Sequence, residues 1–167
     1  MYKLQDLAQH RSIIDQADCV LISSGLNDII KLGTPVHVLA NHMEQFVTKS
    51  AQVHPNTTIL YESIGPLSLR ADPTGHYNRQ INDFNHKMFD LSLRSHNFKL
   101  FDTLNFGLSH LSRDGIHLTE QGKVVTSKSW VNAVLTRLGY WRGSLPIRPD
   151  FVNRFEEFRH RGNFVSE

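Results

Sequence analysis

The chain has 167 residues, is 40% hydrophobic, and carries 18 lysines and arginines against 16 aspartates and glutamates. That length suits one globular domain with a core of its own, and a net charge of +2 gives no basic field that would argue for a nucleic-acid partner. The single cysteine, Cys19, excludes a disulfide framework within the chain and, set among Ala17, Val20, Leu21 and Ile22, reads as a buried inert thiol.

In chain order, Leu4, Leu7, Ile13 and Ile14 recur at helical spacing among charged residues and predict an amphipathic opening helix over 2–16. This stretch has no apolar core of a signal peptide. No uncharged run approaches the roughly 20 residues a membrane span needs, so the chain reads as soluble and, by default, cytoplasmic. Ala17 to Gly25 is a short apolar run stopped by small residues, the pattern of a strand buried on both faces, and a loop is expected directly after it. Thr34-Pro35 predicts a helix start, with threonine capping free amides and proline at the first helical position. Val36, Leu39, Ala40, Met43, Phe46 and Val47 then form one apolar stripe on a helix ending near His54-Pro55.

The pattern repeats. Thr57 to Ile64 is a β-branched and aromatic run closed by Gly65-Pro66, a second strand. Beyond a polar loop at Asp72-Pro73-Thr74-Gly75, the positions Ile81, Phe84, Met88 and Leu91 mark another helix, and Phe98 to Phe101 a third short strand. Thr119 caps a last helix whose expected inner face is Val124, Ser127, Val131, Val134, Leu135 and Leu138, with Gly139 as its stop. Residues 140–167, with Pro146, Pro149, five arginines and several phenylalanines, read as a tail that packs back on a domain spanning 1–139 or is partly disordered. Strand and helix alternate throughout, which predicts an α/β fold with a parallel sheet covered by helices on both faces.

In such a sheet, functional groups gather on loops at the carboxyl ends of the strands. Two of these loops are informative: Ser24-Gly25-Leu26-Asn27-Asp28 after the first strand, and Arg113-Asp114-Gly115-Ile116-His117-Leu118 leading into the last helix. Acyl transfer needs a histidine that takes and returns a proton and a carboxylate that fixes its tautomer, and Asp114 and His117, three residues apart in a turn that Gly115 makes possible, can serve. It also needs a donor aimed at the oxygen that gains charge, and a side-chain amide such as that of Asn27 can be one; losing such a donor costs about 2.7 to 4 kcal/mol of barrier in well-studied cases. Taken alone, Asn27 and Asp28 equally suit a loop that satisfies its own amides. His76, His86, His96 and His110 lack ligand-like spacing, so no metal site is expected.

Gly25-Leu26-Asn27-Asp28 resembles the G-x-N-D block of SGNH (GDSL-type) hydrolases, and Asp114-Gly115-Ile116-His117 resembles their D-x-x-H block, in the right order and setting over roughly residues 17–139. The resemblance implies a flavodoxin-like three-layer α/β/α fold, ester hydrolysis on a small-molecule ester or an acylated glycan, and no metal or organic cofactor. It makes Asn27 an oxyanion-hole donor, His117 the general base and Asp114 its orienting partner, with Gly25 and Asp28 beside the substrate. The part after Asp18 is also similar to esterase-like domains encoded within animal retrotransposons. The family's Gly-Asp-Ser block and the glycine block after it are not found here, and the chain is expected to lack the first strand or strands of the sheet. Two readings follow: an esterase domain whose serine comes from elsewhere, or an inactive remnant serving as a binding or interaction module. In the second, the uncovered sheet edge would pair with another chain, for instance in a homodimer, be covered by the first helix, or promote aggregation.

Overall fold

The computed structural model describes residues 17–103 and 106–140, so the expected opening helix and the tail beyond Tyr140 lie outside the described residues. Strands and helices alternate as β1 (Cys19–Ile22), α1 (Leu26–Ile30), α2 (Val36–Val53), β2 (Thr58–Glu62), α3 (His76–Arg94), β3 (Phe98–Phe101) and α4 (Glu120–Arg137), with a 3-10 turn at Leu108–His110 before the last helix. The sheet order is β1-β2-β3 and both pairings are parallel, with Cys19 opposite Thr58 and Ile59 opposite Phe98. The expected α/β class with a parallel sheet is therefore found. Parallel pairing brings the carboxyl ends of all three strands to one rim, the edge where β-to-α loops can form a site.

Side chains alternate across the sheet with a period of two. Ile59, Tyr61, Phe98 and Leu100 point into the larger core, where they meet Ile29 of α1, Leu39, Met43 and Val47 of α2, and Ile81, Phe84, Met88 and Leu91 of α3. Leu60 and Phe101 face the opposite way, onto Ala133 with Trp130 and Val134 of α4. This makes three layers, with α1 to α3 on one face and α4 on the other. Fully burying an aliphatic or aromatic side chain contributes about 1.5–3 kcal/mol, so the larger cluster dominates the packing.

Four local expectations change. Cys19, Val20 and Leu21 are only half-buried, because among the described residues β1 is paired on one side alone; burial nevertheless pushes the Cys19 thiol up, as an inert thiol requires. The loop expected after β1 contains the five-residue helix α1. Thr34 does not cap α2: Pro35 occupies the N-cap with φ −57° and ψ 137°, its carbonyl accepting from the Val38 and Leu39 amides, and no side chain bonds there. Finally, α4 turns Val124 and Val131 of its expected inner face outward, while Val134 does pack on the core. Val124 is 53% and Val131 56% exposed, while Gly122, Thr126, Ser129 and Ala133 are buried. Small residues let α4 approach closely; a Cβ at Gly122 would lie 2.3 Å from the His110 carbonyl oxygen. Thr119 caps α4 as expected, its hydroxyl accepting from the Gly122 amide at 3.1 Å, and Gly139 follows the helix at φ 79°.

Candidate functional site

Where β1 ends, the chain must turn sharply without leaving the core. Gly25 does this at φ 104°, and a Cβ there would lie 3.0 Å from Ile64 Cδ1 and 3.1 Å from the Tyr61 hydroxyl, so a side chain has no room. The fully buried Tyr61 donates its hydroxyl hydrogen bond to the Ser24 carbonyl, pinning this turn to the central strand, and burial drives the phenol's ionisation far above its ordinary range. The turn presents Asn27, half-buried, and Asp28, buried in the first turn of α1. Across the rim, two asparagines of α3 hold the segment after β2. Asn85 exchanges hydrogen bonds of 3.0 and 2.9 Å with the Ile64 backbone, and Asn78 does the same with Leu67 at 2.8 and 3.1 Å.

The second informative loop is a closed turn. Leu111 and Leu118 form an antiparallel bridge at its mouth, and inside it the Ser112 amide donates to the His117 carbonyl at 2.7 Å while the Gly115 amide donates to the Ser112 carbonyl at 2.8 Å. Gly115 sits at φ 74°, where a Cβ would fall 1.8 Å from the Ser68 hydroxyl oxygen. Oδ1 of Asp114 accepts from the Ser112 hydroxyl at 2.6 Å, the Ile116 amide at 2.9 Å and the His117 amide at 3.0 Å. Oδ2 lies 2.5 Å from Nδ1 of His117. The Ser112 hydroxyl first, then the imidazole, then the two amides hold the Asp114 carboxyl well below the usual carboxylate range. An ionised carboxylate only accepts, so Nδ1 is the ring nitrogen that donates to it; Nε2 has no hydrogen bond among the described residues.

Between these loops lies a cleft of about 670 Å³. Gly25, Asn27 and Asp28 line one side and His117 the other, with Asp114 attached behind His117. The two loops singled out in the sequence therefore share one cavity. Four further lining residues were not anticipated: Thr103 donates to Glu62, and Ser63 donates to Asp102 at 2.6 Å, all four buried at the ends of β2 and β3. Their signal in the sequence is a polar doublet closing each apolar strand run, Glu62-Ser63 and Asp102-Thr103. Ile64, Leu67, Phe106, Ile116 and Trp130 supply apolar walls. The Ser24 hydroxyl and the Trp130 indole nitrogen are buried in this lining without a hydrogen-bond partner among the described residues. No group of three His, Cys, Asp or Glu side chains suited to a metal occurs among the described residues.

This arrangement can orient an imidazole by a carboxylate and place an amide-bearing loop across a cavity from it, the elements of acid–base catalysis with an oxyanion donor. Residues 3–125 match the model of the GDSL-like lipase/acylhydrolase family. A solved structure from Streptococcus pneumonia, provisionally titled a platelet activating factor, shares 24% sequence identity with a TM-score of 0.58 over 69% of this chain and 58% of its own, a likeness of fold. The chain thus spans little more than half the length of that structure. No curated protein matches the chain.

Proposed function

Since the chain belongs to the GDSL-like lipase/acylhydrolase family, we propose that it is an ester hydrolase domain in which His117 is the general base, Asp114 its orienting partner and Asn27 an oxyanion donor. The observation that carries this reading is the Asp114–His117 pair, closed at 2.5 Å on a cleft that Asn27 also lines. Nε2 would take the proton of an attacking hydroxyl and return it to the leaving alcohol, while the carboxylate stabilises the imidazolium between the two steps. The amide of Asn27, with Gly25 and Asp28 shaping the loop beneath it, would meet the oxygen that becomes negative.

No Gly-Asp-Ser block occurs in the sequence, so the acylated serine of this reading comes from another polypeptide or from a segment outside these residues. Acylation would form the serine ester and release the alcohol; water, deprotonated by His117, would then release the acid. The apolar walls around the cleft suit a small-molecule ester or the acyl group of a modified glycan. The test is p-nitrophenyl acetate turnover and fluorophosphonate labelling of the protein, alone and with any polypeptide encoded immediately upstream. Turnover that falls at least about 100-fold in His117→Ala is the expected result. Neither labelling nor turnover above buffer in either preparation would overturn it.

A second reading is favoured by β1, which is paired on one side only among the described residues. A strand edge of this kind recruits another strand, so the domain would act as an interaction module or homodimer. Sedimentation would then show a dimer, whereas a monomer whose Val20 and Leu21 amides exchange rapidly would reject it.

A further inference from the structure

We propose that Ser112 is the positioning residue of the acid–base pair, its hydroxyl fixing the rotation of the Asp114 carboxylate so that one oxygen is kept for the imidazole of His117. This rests on the reading of Asp114 and His117 as that pair. The need arises from exposure: the Asp114 side chain is 47% and the His117 side chain 71% exposed. A carboxylate in solvent turns freely about its broad terminal torsion and exchanges its two oxygens, and nothing in a lone Asp–His contact prevents this.

Here the two oxygens are made unequal. Oδ1 receives three donors, the amides of Ile116 and His117 and the Ser112 hydroxyl, while Oδ2 receives the imidazole alone. The two amides tie the carboxylate to its own turn. Ser112 adds a side-chain donor from the opposite strand of the hairpin, at 2.6 Å the shortest of the three. Its own place is set by the backbone on both sides, through its amide to the His117 carbonyl and its carbonyl from the Gly115 amide. Ser112 therefore measures the distance between the two ends of the turn and reports it to the carboxylate. Among the described residues, His117 is the one ionisable group that pairs with Asp114; no lysine, arginine or second carboxylate does. The hydroxyl and the imidazole together hold the charge in place.

The experiment is NMR on the folded protein, following the Asp114 carboxyl carbon through an acid titration and the ring nitrogens of His117 at neutral pH, in the parent, Ser112→Ala and Ser112→Thr. In Ser112→Ala the carboxyl midpoint rises toward the ordinary carboxylate range and the imidazole passes from a single Nδ1-protonated tautomer to a mixture. Ser112→Thr, which keeps the hydroxyl, restores both. Amide shifts outside residues 110–119 stay in place, separating this effect from unfolding. Should Ser112→Ala leave midpoint and tautomer unchanged, the hydroxyl merely closes the turn and the proposal falls. A parent protein in which Asp114 titrates in the ordinary range and His117 shows no preferred tautomer would overturn the pair itself, and with it the functional reading.

Discussion

At the scale of single residues, the carboxylate–imidazole turn was readable because its geometry is local: Asp114 and His117 stand three positions apart, and Gly115 supplies the positive φ between them. Ser112 was not readable, since a serine two positions before an aspartate has no signature until the turn brings its hydroxyl to Oδ1. Replacing Gly115 by alanine must both strain φ and drive a Cβ into Ser68, and should cost at least about 2 kcal/mol by urea unfolding. A loss below about 0.5 kcal/mol would show that Ser68 moves aside freely. Acid has a defined direction too. The folded-state pKa of Asp114 is depressed, so its contribution to the turn is complete above the ordinary carboxylate value of about 4 and is lost only as pH falls through the lower folded value. The Asp114 carboxyl carbon should therefore show no transition centred at about pH 4 and move only below it; a transition centred on the ordinary value would contradict the hydrogen-bond pattern.

At the scale of elements, the burial of β2 was legible, and so were the ends of α4, but its inner face was not, for one reason. A strand covered on both faces must be apolar throughout, and Thr58–Glu62 is buried at every position. A helix that lies close against a sheet needs small residues on its inner face, so its larger apolar side chains can end up outside. The periodicity of Val124, Val131 and Leu138 is real, yet these residues face solvent, while Gly122, Thr126, Ser129 and Ala133 are buried and Ala133, Trp130 and Val134 meet the sheet. Val131→Lys should accordingly change stability by no more than about 0.5 kcal/mol, whereas Ala133→Leu should destabilise by about 1–3 kcal/mol. Thermal or chemical denaturation giving the reverse order would reinstate the valine face. The short α1 escaped notice because five residues are too few to show a helical period.

At the scale of the whole molecule, the fold class was legible from alternation alone, because parallel strands need long crossovers and these were visible as helices. The shared cleft required the additional step that parallel strands end at one rim; the floor formed by Glu62, Ser63, Asp102 and Thr103 depends on register between β2 and β3, which no single strand encodes. No helix among the described residues is long and apolar enough to cross a membrane. Phe84, fully buried between α3 and the sheet, should cost about 3–5 kcal/mol when replaced by alanine, with a single unfolding transition seen by both fluorescence and circular dichroism. The two halves of the cleft are anchored in different ways. In the histidine turn the carboxylate bonds all close within Ser112 to His117 and the Gly115 carbonyl accepts from the Ser68 amide, while the asparagine turn hangs from the hydroxyl of Tyr61 at the heart of the sheet. Warming that loosens the sheet would slide these halves out of alignment with each still locally whole, so a reaction of the proposed kind, which spans the gap, would fade ahead of the global melt.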